Sequence, residues 1–114
     1  KRNLDFHALF RNTIPEDEHL VADYACALHR DILVHGRLYF TENTICFYSN
    51  ILGWVTRLTV SFAEVVAIDK RMTAFVIPNA LQISTLHQKY FFASLVSRDK
   101  TYDQLMELWN KNHP

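Results

Sequence analysis

Seven short apolar runs of period two, divided by polar turns and with no amphipathic helix between any two of them, leave this chain few ways to fold. From Leu20 onward Ala22, Tyr24, Cys26 and Leu28 line one face, and Asp23 takes the other. After the turn His29-Arg30-Asp31, the run ILVHGRLYF sets Val34, Leu38 and Phe40 against His35, Arg37 and Tyr39. Gly36 falls where a strongly bent strand wants no side chain. Thr41-Glu42-Asn43 turns into TICFYS, and Asn50 to Gly53 connects to WVTRLTVSF, where Trp54, Leu58 and Val60 alternate with Arg57 and Thr59. A fifth strand over Val65 to Lys70 leads through KRMTAF to a sixth, FVIPNALQIST, in which Pro78 marks a bulge or an edge. His87-Gln88-Lys89 turns into the seventh, YFFASLV. Strands that meander without a crossover helix are antiparallel, and their number suits two nearly orthogonal sheets or a partly open barrel.

Helical periodicity appears only at the two ends. In NLDFHALFRN, Leu4 or Phe6, Leu9 and Phe10 share a side, which predicts a short lid helix over about residues 3–12, ended by Pro15 and the PEDE run. At the other end Asp99 is the expected N-cap of a helix over about 99–111, with Tyr102, Leu105, Met106 and Trp109 as its apolar stripe. That helix is the natural plug for an open barrel. The result is a mainly β chain with flanking helices, and it resembles the pleckstrin-homology-like architecture. Trp54 and Trp109 are both expected in its core.

At 114 residues the chain suits one domain spanning 1–114, with no linker, repeat or low-complexity segment. Lys plus Arg equal Asp plus Glu at 12 each, so nothing in the global charge favours nucleic acid, and any anion site must be local. No apolar run reaches bilayer length and the start KRNLDFHALF is too polar for a secretory signal. The chain is expected to be soluble, with any membrane anchor or further domain lying outside it. Cys26 and Cys46 lack zinc-site spacing and read as reduced core thiols, which favours a cytosolic setting, although a shared sheet could bring them close.

Catalytic patterns are missing. With Gly36 and Gly53 as the only glycines, there is no Walker loop, dinucleotide fingerprint or nucleophile elbow. His7, His19, His29, His35, His87 and His113 are scattered without metal-ligand spacing or a carboxylate pair beside them. The chain is therefore expected to be no enzyme and to need no metal or cofactor.

Binding is expected where basic and apolar residues interleave, because a membrane surface rewards headgroup contact together with shallow insertion. Two stretches do so: Lys70-Arg71-Met72-Thr73-Ala74-Phe75 and Ser97-Arg98-Asp99-Lys100. Arg98 and Lys100 flank a helix N-terminus that favours phosphate or carboxylate, while Asp99 could instead cap that helix and pair with them. Lys70 and Arg71 read either as headgroup ligands or as solvated charges. The loop residues Ile51 and Leu52 either insert into lipid or pack inward.

The stretch DYACALHRDILVHGRLYFTENTICFYSNILGWVTRLTV, with TAFVIPNALQIST and YFFASLVSRDKTYDQLMELW, resembles the GRAM domain, in the version found in the ER-anchored sterol-transfer proteins called Aster in animals and Lam in fungi. ILGWVT and IPNA look closer to the fungal branch. The resemblance implies a module that sits upstream of a StART-like sterol-binding domain and a transmembrane anchor, both outside this chain. It implies a place on the cytosolic face of the endoplasmic reticulum at membrane contact sites. In such proteins the domain helps direct the protein to the partner membrane, in some members through anionic lipid such as phosphatidylserine, with sterol sensing in animal members. The family's lipid-sensitive S-R-D stretch matches Ser97, Arg98 and Asp99. HRDILVHGRLY lacks the cationic cluster of a stereospecific phosphoinositide reader, so weak attraction to anionic bilayers, phosphatidylserine or phosphoinositide, is the expectation. The alternative is a protein-interaction module that takes a peptide from a contact-site partner on a strand edge or beside the last helix. A core that opens to hold a sterol is disfavoured by the large side chains on the inward strand faces.

Overall fold

The computed structural model describes residues 1–112, so His113 lies outside the described residues. Helix α1 (Arg2–Leu9) precedes strands β1 (Ala22–His29), β2 (Leu33–Phe40), β3 (Thr44–Ile51) and β4 (Trp54–Ser61). A 3-10 turn over Phe62–Glu64 then leads to β5 (Ala67–Thr73), β6 (Ile77–Ser84), β7 (Lys89–Ala93) and helix α2 (Arg98–Asn112). All seven strands join one antiparallel sheet in the order β4-β3-β2-β1-β7-β6-β5, instead of two separate sheets. The fold-over is at one seam. β1 pairs with β2 along all eight residues but meets β7 only at Ala27 and Leu28, so the sheet turns sharply there and wraps its two halves around a common core. β4 and β5 remain as edges, which leaves the barrel partly open.

The concave face packs Leu28, Leu38, Phe40, Ile45, Phe47, Leu81, Ile83 and Phe92 against Leu105 and Leu108 of α2. Tyr102, Met106 and Trp109 are half-buried against the same core. Trp109 donates its indole N–H to the Val65 carbonyl at 3.1 Å, which ties the plug to the crossing from β4 to β5. On the convex face Phe6, Phe10 and Ile14 bury Tyr39 and Cys46. The helix that delivers Phe6 stops at Leu9, earlier than expected, and Phe10 and Ile14 follow it in the turn. Phe10 already leaves helical geometry at φ −121° and Asn12 is left-handed at φ 66°, so the helix ends before Pro15 or the acidic run can act.

Pro78 sits at a register shift between β5 and β6 and below the first residue that β7 pairs, so its missing N–H interrupts no ladder. Gly36 is required by close packing. A Cβ there would lie 2.3 Å from the Tyr48 carbonyl oxygen and 2.9 Å from the Phe47 ring. Cys26 belongs to the concave core and Cys46 to the convex one, so the two thiols are free and on opposite faces. Trp54 corrects the sequence expectation: it is 82% exposed, because it opens the edge strand β4 beyond the reach of the packed core. No helix among the described residues is long and apolar enough to cross a membrane.

Candidate functional site

The end of β5, the β5–β6 turn and the start of α2 meet at one corner. Strand β5 carries Lys70 and Arg71 outward before its register shift, and the turn that follows holds Ala74 and Phe75 at φ 48° and 68°. These left-handed positions ordinarily favour Gly or Asn. Phe75 is nevertheless 97% exposed, flanked by exposed Met72, Val76 and Ile77. Asn79 fixes the base of the turn from both sides, accepting from the Thr73 hydroxyl at 2.7 Å and, through its carbonyl, from the Leu95 N–H at 2.9 Å. Leu95 is buried, and the chain then exposes Val96 fully before α2 begins.

Arg98 bridges the two elements. Its side chain is only 12% exposed, donating through Nη1 to the Arg71 carbonyl at 2.8 Å and through Nε to Asp99 Oδ1 at 2.9 Å. Lys70 reaches the same Asp99 oxygen at 3.2 Å and stands 4.9 Å from the centre of the Tyr102 ring. Arg71 faces Asp69 at 3.9 Å, and Lys100 is exposed and forms no ion pair among the described residues. The Lys70 ammonium, then the Arg98 guanidinium, hold the Asp99 carboxyl below its usual range. Asp99 is thus not the N-cap that the sequence predicts. It lies inside the first turn of a helix that starts at Arg98, and its carboxylate is drawn sideways to the two cations, while the Ser97 carbonyl accepts the Thr101 N–H at 2.9 Å.

The structure therefore brings Lys70, Arg71, Arg98 and Lys100 to one corner, together with an apolar rim that the sequence reading recognised only in part. Met72 and Phe75 stood in the interleaved stretch; Val76, Ile77 and Val96 were missed, since apolar residues in or beside strands read as core until the turn geometry is known. Ile51 and Leu52 are elsewhere. Strand polarity puts the β1–β2, β3–β4 and β6–β7 turns at one end of the strands and the β5–β6 turn with the start of α2 at the other. Leu52 is a fully exposed left-handed apex at φ 53°, followed by Gly53 at φ 85°. Among the described residues no group of three or more His, Cys, Asp or Glu could hold a metal ion.

One bent antiparallel sheet plugged by a C-terminal helix defines a pleckstrin-homology-like domain. The Vps36 N-terminal PH domain superposes with a TM-score of 0.66 at 11% identity, covering 86% of this chain and 83% of that one. The C-terminal domain of an unknown protein from Leishmania infantum reaches 0.83 at 23% identity, covering 96% and 98%. Residues 4–114 match the GRAM domain, and the chain belongs to that family. It is 51% identical over its whole length to a membrane protein of Schizosaccharomyces pombe, and 50% identical to human Aster-B over 96% of the chain. To the membrane-anchored lipid-binding protein LAM5 of Saccharomyces cerevisiae it is 37% identical over 97%. The chain spans only 15 to 16% of the length of these relatives.

Proposed function

We propose that this GRAM domain is a non-catalytic membrane-recognition module, and that the corner formed by Lys70, Arg71, Arg98 and Lys100 meets anionic lipid headgroups. The observation that carries the reading is the pairing of an exposed apolar apex with unburied cations. Phe75 at 97% exposure, with Met72, Val76 and Val96, offers shallow insertion, and Lys70, Arg71 and Lys100 stand around it. Asp69 and Asp99 offset part of that charge, so attraction is weak, with each cation near the surface contributing about 1 kcal/mol. Arg98 differs from its neighbours: bound to the Arg71 carbonyl and to Asp99, it positions the corner more than it offers free charge. Bilayer contact here turns the Ile51-Leu52 tip away from that membrane, and those two residues belong to a separate surface.

Likeness to Aster-B and to the membrane-anchored lipid-binding LAM5 supports a lipid-related membrane role, and in this reading the module serves an intracellular sterol-transfer protein at contacts between the endoplasmic reticulum and another membrane. Its cytosolic face carries this domain, and sterol is bound by a separate domain. Sedimentation with vesicles of neutral lipid, of added phosphatidylserine and of added phosphoinositide at matched total charge tests the proposal. Binding that follows charge, falls with salt and disappears in the Lys70→Glu, Lys100→Glu double variant is expected. Binding that survives the double variant overturns the assignment of the corner.

A further inference from the structure

The strand edges of a sheet carry unpaired N–H and C=O groups, and proteins usually guard them with charge, bulges or covering elements. One edge here is guarded. β5 carries Lys70 and Arg71, shifts register after Arg71, and has its Arg71 carbonyl occupied by Arg98 from α2. The other edge is open. β4 pairs with β3 in unbroken register from Ile51–Trp54 to Thr44–Ser61, with no proline, lysine or bulge, and its charged residue Arg57 is drawn over the Tyr48 ring to the Leu9 carbonyl at 2.9 Å. Among the described residues, no hydrogen bond other than the β3 ladder reaches the backbone of Trp54 to Val60. The two-residue hairpin at Leu52-Gly53 makes Ile51–Trp54 a hydrogen-bonded pair, so the outward-pointing backbone groups fall at Val55, Arg57 and Thr59.

Between the β1–β2 turn and the β3–β4 hairpin, reaching the start of this edge, lies a groove of about 690 Å³, its apolar wall made by Ile32, Val34, Ile51, Trp54 and Val55 and its polar lining by Arg30, Asp31, Thr56 and Arg57. Its exposed tryptophan and two arginines are of the residue types enriched where interfaces concentrate their binding energy. We infer that β4 accepts an extended peptide as an eighth strand. The peptide's backbone pairs with Val55, Arg57 and Thr59, an apolar side chain enters the groove beside Trp54, and an acidic residue answers the excess of arginine there, Arg30 and Arg57 against Asp31. A second copy of this chain fits poorly, because two-fold pairing centred on the strand would set Arg57 against its own copy. The inference stands independently of the lipid corner, which lies at the end of the strands opposite the groove.

The test uses the 114-residue chain and a displayed library of random short peptides, with enriched sequences remade synthetically. Enriched peptides should alternate β-branched or aromatic residues with polar ones and carry an acidic residue. Their binding should slow hydrogen exchange at the outward amides of Val55, Arg57 and Thr59. Val55→Pro, which removes one outward N–H without touching the β3 ladder, should weaken binding by about tenfold or more. Should that variant melt early, two other changes carry the decision: N-methylation of alternate peptide amides and Arg30→Glu, both of which should weaken binding. Leu52→Asp should leave it intact. Failure to enrich any peptide sensitive to these changes overturns the inference. So does the opposite pattern, in which Leu52→Asp alone abolishes association with phosphatidylcholine vesicles, since that outcome makes this end a lipid-inserting surface.

Discussion

Asp99 sits among the cations of the corner, and its charge sign makes it the most informative single residue there. Its carboxyl is held below its ordinary value of 3.8, so what its ion pairs contribute is fully present above that value and lost only as pH falls through the lowered one. At neutral pH the links to Lys70 and Arg98 are intact. Asp99→Asn should therefore strengthen sedimentation with phosphatidylserine vesicles, by adding one net positive charge and releasing Lys70, while leaving the melting temperature nearly unchanged, as befits an exposed pair. Weaker sedimentation of this variant would mean that the paired geometry, and not the charge, is what lipid recognises. Gly36 tests packing in the same spirit. The backbone oxygen of Tyr48 cannot retreat from a new Cβ, so Gly36→Ala should cost about 1–3 kcal/mol in urea unfolding. The sequence marked Gly36 as special. Why it is special, the approach of β3, became visible only when the strands were paired.

Among the elements, α1 and α2 cover opposite faces of one sheet by different means. α1 and the residue that caps it contribute two fully buried aromatics, Phe6 and Phe10, over Tyr39, with ring centroids of Phe6 and Tyr39 5.4 Å apart. Phe6→Ala should destabilise the chain by about 3–5 kcal/mol and expose Cys46 to thiol reagents, whereas Cys26 on the other face should stay protected. α2 is fixed by its buried Leu105 and Leu108 and by the Trp109 bond to the Val65 carbonyl. Both helices were legible from apolar spacing. Their limits were not, since α1 ends at Leu9, ahead of the non-helical Phe10 and left-handed Asn12, and α2 begins one residue before its expected cap. The strand positions were legible for the same reason as the helices, through alternation. The exposure of Trp54 was not, because alternation says which face a residue takes and is silent on whether the core extends that far.

For the molecule as a whole, burial pushes both thiols up to about 12, Cys26 despite the nearby Arg37 charge. The native chain should react slowly with a thiol reagent at neutral pH and release both groups on unfolding in urea, a time course read by absorbance; rapid reaction of either thiol in the native chain would contradict the packing. The apolar and basic corner and the groove beside Trp54 lie at different ends of the strands, so the proposed membrane and peptide contacts need not compete. By itself, the sequence determined the element order, the antiparallel meander, the plugging helix and the family, because side-chain alternation and local motifs are properties of neighbours along the chain. Tertiary structure decided where Phe75, Val96 and Trp54 come to the surface, that Asp99 holds Lys70 to Arg98, and which edge stays open. Those outcomes depend on how the sheet bends at the β1–β7 seam, which brings distant residues together by packing and cannot be read from spacing.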